Sequence, residues 1–221
     1  MKLQKPTTQE KRALKGETNI AALLNALDQR VNEKVTLIIV GRASYQIGHD
    51  EFAPRLRHLP GEDDKIDDET GKLFITEDID CFHTDAAQAV IDAAHEHSYL
   101  AQMAKCYVHA LNEQTLVLPI GWKDRLRDIP SNFVNLQLRR LDPLDFIICK
   151  GAAGRTKDTK FLKALCDALN IDQDQVRAKV EETLQHRPAK LVFDTPAQRF
   201  LKMLPARLFT PSPPSPPGSI S

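Results

Sequence analysis

The sequence predicts an α/β fold: a short mixed sheet flanked by helices and followed by a helical C-terminal part. Three observations carry this expectation. The apolar run from Val35 to Val40 stops at Gly41, as a short strand buried on both faces would. Ahead of it, Ile20, Leu23, Leu24, Leu27 and Val31 recur at helical spacing. Beyond Asp142, capping signals and apolar stripes follow one another with only short breaks, which reads as a succession of helices. The chain of 221 residues, 42% hydrophobic and 27% charged, is long enough to bury a real core.

Each element has a local reason. Residues 1–17 are polar and basic and read as a flexible arm. Thr18 or Asn19 can cap a first helix running to about Asn32. The strand at 35–40 is followed by a possible short helix, Ala43 to Ile47. Residues 48–72 carry Pro54, Pro60, Gly61, Gly71 and acidic runs, and read as an exposed insertion. Leu73 to Phe82 reads as a strand. Ala86, Ala89, Val90, Ala93, Leu100, Met103 and Tyr107 suggest helix from Asp85 to about Leu111.

A short strand is expected at Thr115–Leu118, a turn or short helix at Gly121–Leu126 and a strand at Val134–Leu141. Trp122 reads as a packing anchor and Arg125 as the partner of a carboxylate. Asp142-Pro143 is a strong helix start, a cap followed by proline at the first helical position. That helix is expected to reach about Lys150, where Gly151 and Gly154 break it. Thr156 can cap the next helix, and two more follow near 173–185 and 195–204. The layout is thus a core at 18–142, a helical region at 143–205 and a Pro/Ser-rich disordered tail at 206–221.

Composition limits the function. Lys+Arg and Asp+Glu are both 30, so the formal net charge is zero, which argues against a dedicated polyanion binder. The N-terminus has no signal-peptide core, and no apolar run is long enough to span a membrane. Cys81, Cys106, Cys149 and Cys166 are widely spaced, with no C-x-x-C pair. Packed thiols in a reducing, cytoplasmic compartment are expected. His95 and His97, two apart on a helix, would not share a face, which argues against a joint metal site.

The chemistry concentrates in Thr76-Glu77-Asp78-Ile79-Asp80. On a strand, residues two apart point to one face, so Asp78 and Asp80 project together. Two such carboxylates repel unless a cation lies between them, and Mg²⁺ is commonly held by one or two carboxylates plus substrate phosphates. The pair therefore suits metal-assisted phosphoryl chemistry. Val40-Gly41-Arg42-Ala43-Ser44 supplies a glycine after a strand, which lets backbone N–H groups approach a phosphate, and Ser44 offers a hydroxyl.

In order, Val40-Gly41-Arg42-Ala43, Thr76 to Asp80, Gly121 to Leu126, Leu141 to Lys150 and Arg155 to Asp158 resemble the polymerase-β-type nucleotidyltransferase superfamily. The resemblance spans about residues 20–170. More narrowly, the sequence resembles a poorly characterised bacterial branch related to nucleotidyltransferase-like components of toxin–antitoxin systems. It implies a nucleotidyltransferase-like sheet and a Mg²⁺-dependent transfer of an NMP from an NTP to a hydroxyl of RNA, protein or a small molecule. Asp78 and Asp80 would bind the Mg²⁺. Gly41, Arg42 and Ser44 would lie beside the triphosphate, and Lys150 and Asp158 match pocket-facing positions. Arg155 would neutralise charge developing on transfer.

The chain departs from the pattern where Val40-Gly41 replaces a Gly-Gly or Gly-Ser pair, and in the long gap from Gly41 to Asp78. No third carboxylate can be placed, since Val134–Leu141 offers none. These departures leave open an alternative: a catalytically degenerate protein of the same fold, binding a nucleotide or a protein partner in a toxin–antitoxin or defence system.

Overall fold

The computed structural model describes residues 19–47, 78–186, 188, 191 and 195–209. The arm at 1–17, the insertion at 48–72, the part of the expected strand before Asp78 and the tail beyond Phe209 lie outside the described residues. Five strands form one sheet, in the order β3-β2-β1-β5-β4. They are β1 (Val35–Ile39), β2 (Asp78–Phe82), β3 (Tyr107–Leu111), β4 (Arg127–Asp128) and β5 (Leu136–Arg140). β1 pairs parallel with β5 and antiparallel with β2, while β2 pairs parallel with β3, so the sheet is mixed as expected.

Helices cover both faces. On one side lie α1 (Asn19–Asp28), α3 (Gln88–Ala94) and α4 (Tyr99–Ala104), which with Leu37, Ile39, Ile79, Cys81 and Val108 form one buried cluster. On the other lie α2 (Ala43–Gln46), α5 (Pro143–Ala152), α6 (Thr156–Leu169), α7 (Gln173–His186) and α8 (Thr195–Phe209). Phe82, Phe146, Ile147, Leu165 and Leu201 belong to the second cluster. β1 alternates between buried and half-buried residues along its length rather than being sealed on both faces.

Local chemistry explains where several elements end. α1 stops at Asp28, short of Asn32. The Asp28 carboxylate accepts the backbone N–H groups of Val134, Asn135 and Leu136 at 3.0, 2.7 and 2.8 Å, tying the helix end to the start of β5. The single helix expected over 85–111 is divided. A 3₁₀ turn at Asp85–Ala87 leads into α3, and Ser98 caps α4 through the N–H of Ala101 at 3.1 Å. Lys105, in the left-handed region at φ 51°, ends α4, and the chain continues as β3. The strand expected at 115–118 is replaced by a 3₁₀ turn, Glu113–Thr115, and irregular chain.

Asp142 caps α5 as its sequence implies, accepting the N–H of Leu144 at 3.0 Å. Gly151 does not break that helix. It lies inside it, where an added Cβ would sit 2.4 Å from Leu204 Cδ2, so it permits close packing of α8. Gly154, at φ 69°, makes the turn. α8 continues to Phe209 with Leu208 buried.

All four cysteines are buried thiols outside any disulfide. Burial, helped by the charge of Asp167, pushes the Cys166 thiol up to about 12. The raised pKa means that the unfolded chain loses this proton first as the pH rises. Stability from this group is intact below about pH 9 and is lost progressively toward pH 12. Urea unfolding at pH 8 and pH 10 is expected to show a smaller loss for Cys166→Ala than for the natural chain. Parallel losses would refute this source of alkaline instability.

Candidate active site

The site is built on β2 and its two neighbours. Asp78 and Asp80 open β2 on the same face, each half-buried, while Ile79 and Cys81 point into the opposite core. β1 runs antiparallel beside them, and the N–H of Val40 donates to the carbonyl of Asp80 at 2.9 Å. That bond places Gly41 against the Asp80 side chain. A Cβ at Gly41 would lie 3.0 Å from both Asp80 Cβ and Asp80 Oδ2. Gly41 is not in the left-handed region, so what its missing side chain provides is space for this carboxylate.

On the other side, β3 pairs in register with β2, setting His109 opposite Asp80. His109 Nδ1 lies 3.1 Å from Asp80 Oδ1. The second oxygen of Asp80 faces Lys150, in the last turn of α5, whose Nζ is 3.6 Å away. Donor atoms of Asp78, Asp80 and His109 all fall within 4.8 Å of one another. Two carboxylates and an imidazole are a donor set that fits a divalent cation. Beneath them, burial and the Asp80 charge push the Cys81 thiol up to about 12, so it stays a neutral packing group.

Other expected site residues divide into two groups. Asp78, Asp80, Gly41 and Lys150 converge. Ser44 is fully buried, and its hydroxyl donates to the carbonyl of Gly41 at 2.8 Å, bracing the bend. Arg42 lays its guanidinium over the ring of Phe161, 5.1 Å from the centroid. Arg155 is exposed at the start of α6, and Asp158 follows in its first turn. Asp158 is buried, and its Oδ2 meets no hydrogen-bond partner among the described residues. Neither Arg155 nor Asp158 makes an ion pair or hydrogen bond with the Asp78–Asp80 pair among the described residues.

His109 is the residue that sequence reasoning missed. Its signal was the alternation of Tyr107, His109 and Leu111 against Val108 and Ala110, hidden by the helical spacing that precedes it. Arg125, by contrast, meets the carboxylate partner expected of it. Its Nε and Nη2 donate to the two oxygens of the fully buried Asp145, each at 2.9 Å, and Nη2 also donates to the Ile120 carbonyl at 2.8 Å. These bonds hold the guanidinium charged, above its already high ordinary pKa.

No helix among the described residues is long and apolar enough to cross a membrane. No curated protein and no solved structure matches the chain. A family model described as "Nucleotidyltransferase of unknown function (DUF6036)" matches residues 18–190. That span takes in the glycine bend, both aspartates, His109 and the helix bearing Lys150, and the chain accordingly belongs to this family of nucleotidyltransferases.

Proposed function

We propose that the protein is a Mg²⁺-dependent nucleotidyltransferase that moves an NMP from an NTP to a hydroxyl acceptor. The observation that carries the reading is the convergence of Asp78, Asp80 and Lys150 beside the Gly41 bend. Asp78 and Asp80 would hold the ion, which would supply positive charge to offset the charge on the transferring phosphoryl group. Lys150 presents a compact cation that can turn from Asp80 to a phosphate oxygen. Gly41 keeps the Asp80 carboxylate in place, and Ser44 fixes the bend from below. Arg42, at the start of α2, and Arg155 and Asp158, in the opening turn of α6, are assigned to nucleotide binding in the same reading. The acceptor is a hydroxyl of RNA, protein or a small molecule, in a bacterial cytoplasmic setting of the toxin–antitoxin kind.

A second reading is favoured by one observation: among the described residues, an imidazole and no third carboxylate is grouped with the two aspartates. With no third carboxylate there to take the proton of an incoming hydroxyl, and with the His109 imidazole turned to Asp80, the protein would bind nucleotide or a partner without turnover. Labelled NTPs incubated with Mg²⁺ and a mixed acceptor pool separate the two. Transfer of label by the natural chain, lowered at least about a thousandfold in Asp78→Ala/Asp80→Ala, is expected from loss of several kcal/mol of transition-state stabilisation. Tight binding without transfer would leave only the second reading. Transfer that survives the double substitution would dismiss the assignment of these aspartates.

A further inference from the structure

We infer that His109 is a third metal ligand, and that this nitrogen donor turns the centre from Mg²⁺ toward Mn²⁺. The inference rests on the reading of Asp78 and Asp80 as metal ligands and replaces Mg²⁺ by Mn²⁺ as the ion that this site prefers. Its first support is distance. In an octahedral shell with donors about 2.1 Å from the ion, adjacent donors lie about 3 Å apart. His109 Nδ1 and Asp80 Oδ1 are 3.1 Å apart, the separation of two neighbouring ligands of one ion. Its second support is orientation. Asp80 Oδ2 is turned to Lys150, at 3.6 Å, which leaves Oδ1 and the imidazole nitrogen facing each other. Register fixes this meeting, because His109 is the β3 residue paired with Asp80. The His109 side chain is 53% exposed, so an ion can reach it from solvent.

The third support is donor chemistry. Mg²⁺ takes oxygen and keeps its waters, whereas imidazole suits first-row transition ions, and Mn²⁺ accepts both carboxylate and imidazole. An Asp₂His set should therefore discriminate against Mg²⁺ more strongly than three carboxylates would.

The same 3.1 Å contact would also arise if His109 only held Asp80 in place, so the test must see the bond to the ion. Full-length protein is titrated with Mn²⁺ alone, followed by the loss of the free-ion electron paramagnetic resonance signal, and then displaced with Mg²⁺. Electron spin-echo modulation of the bound Mn²⁺ reports a coordinated ¹⁴N. The natural chain is expected to bind Mn²⁺ more tightly than Mg²⁺ and to show nitrogen modulation. His109→Asp is expected to keep an ion site, lose the modulation and lower the Mn²⁺/Mg²⁺ preference roughly tenfold. Bound Mn²⁺ without nitrogen modulation, or an unchanged preference in His109→Asp, overturns the inference and leaves the Asp78–Asp80 reading standing. Failure of both ions to bind at millimolar concentration removes both.

Discussion

Arg125→Ala is expected to destabilise the protein by about 3 kcal/mol, among the largest effects of any single side chain outside the core. Asp145 has no exposure to solvent, so its charge is tolerated only through its partners. Arg125 grips both oxygens, and Lys179 of α7 stands 3.6 Å from one of them. Removing the fork leaves a buried carboxylate facing a single, more distant ammonium. The penalty is therefore the desolvation of an underpaired charge rather than the small worth of a surface salt bridge. For a chain of this size the loss corresponds to a fall in Tm of roughly 6–12 °C. Arg125→Lys keeps the charge but not the planar fork, and should fall between the two. Urea unfolding of the three proteins checks this, and a loss below about 1 kcal/mol in Arg125→Ala would show that the pair is not the clamp inferred.

Gly41→Val should have the opposite profile: a folded protein with a disabled site. A Cβ at this position would be 3.0 Å from Asp80 Cβ and Oδ2, and valine adds two methyl groups to that crowding. Asp80 cannot retreat along its backbone, because its carbonyl is bonded to Val40 N–H and its strand is paired on both sides. Its carboxylate must instead swing away from His109 and Lys150. A displacement near 1 Å at a reacting centre costs on the order of a hundredfold in rate. The stability cost of such overpacking is about 1–3 kcal/mol. The expected result is Mn²⁺ affinity lowered roughly tenfold or more, with label transfer lowered about a hundredfold. Gly41→Ala should lie between valine and the natural chain. An ion affinity unmoved in Gly41→Val would mean that the glycine serves some purpose other than accommodating Asp80.

The residues that could be read from the sequence were those whose local chemistry and long-range setting agree. Val35 to Ile39, the Asp78–Asp80 alternation and the Asp142-Pro143 start each carry their own signal, and each appears where the signal places it. β3 could not be read in the same way. Tyr107 to Leu111 continues a helical spacing, and the residue that stops α4 is a lysine forced to φ 51°, where glycine or asparagine would have announced the stop. Missing the strand meant missing His109, because only the pairing with β2 brings it to Asp80. β4 is two exposed residues long and exists through its pairing with β5. Gly151 misled for a related reason. Its lack of a side chain answers to Leu204, more than fifty positions away, and nothing nearby in sequence reports that neighbour.

α5 has a wider consequence. This ten-residue helix begins under the Arg125 fork, leans on α7 through Lys179, receives α8 at Gly151 and ends with Lys150 over Asp80. The ammonium at the pocket is therefore held by a lever whose other supports are the Arg125 fork and the C-terminal helices α7 and α8. A change in how those helices pack is expected to shift the cation relative to the carboxylates. The geometry of the candidate site and the packing of the bundle thus share one mechanical part.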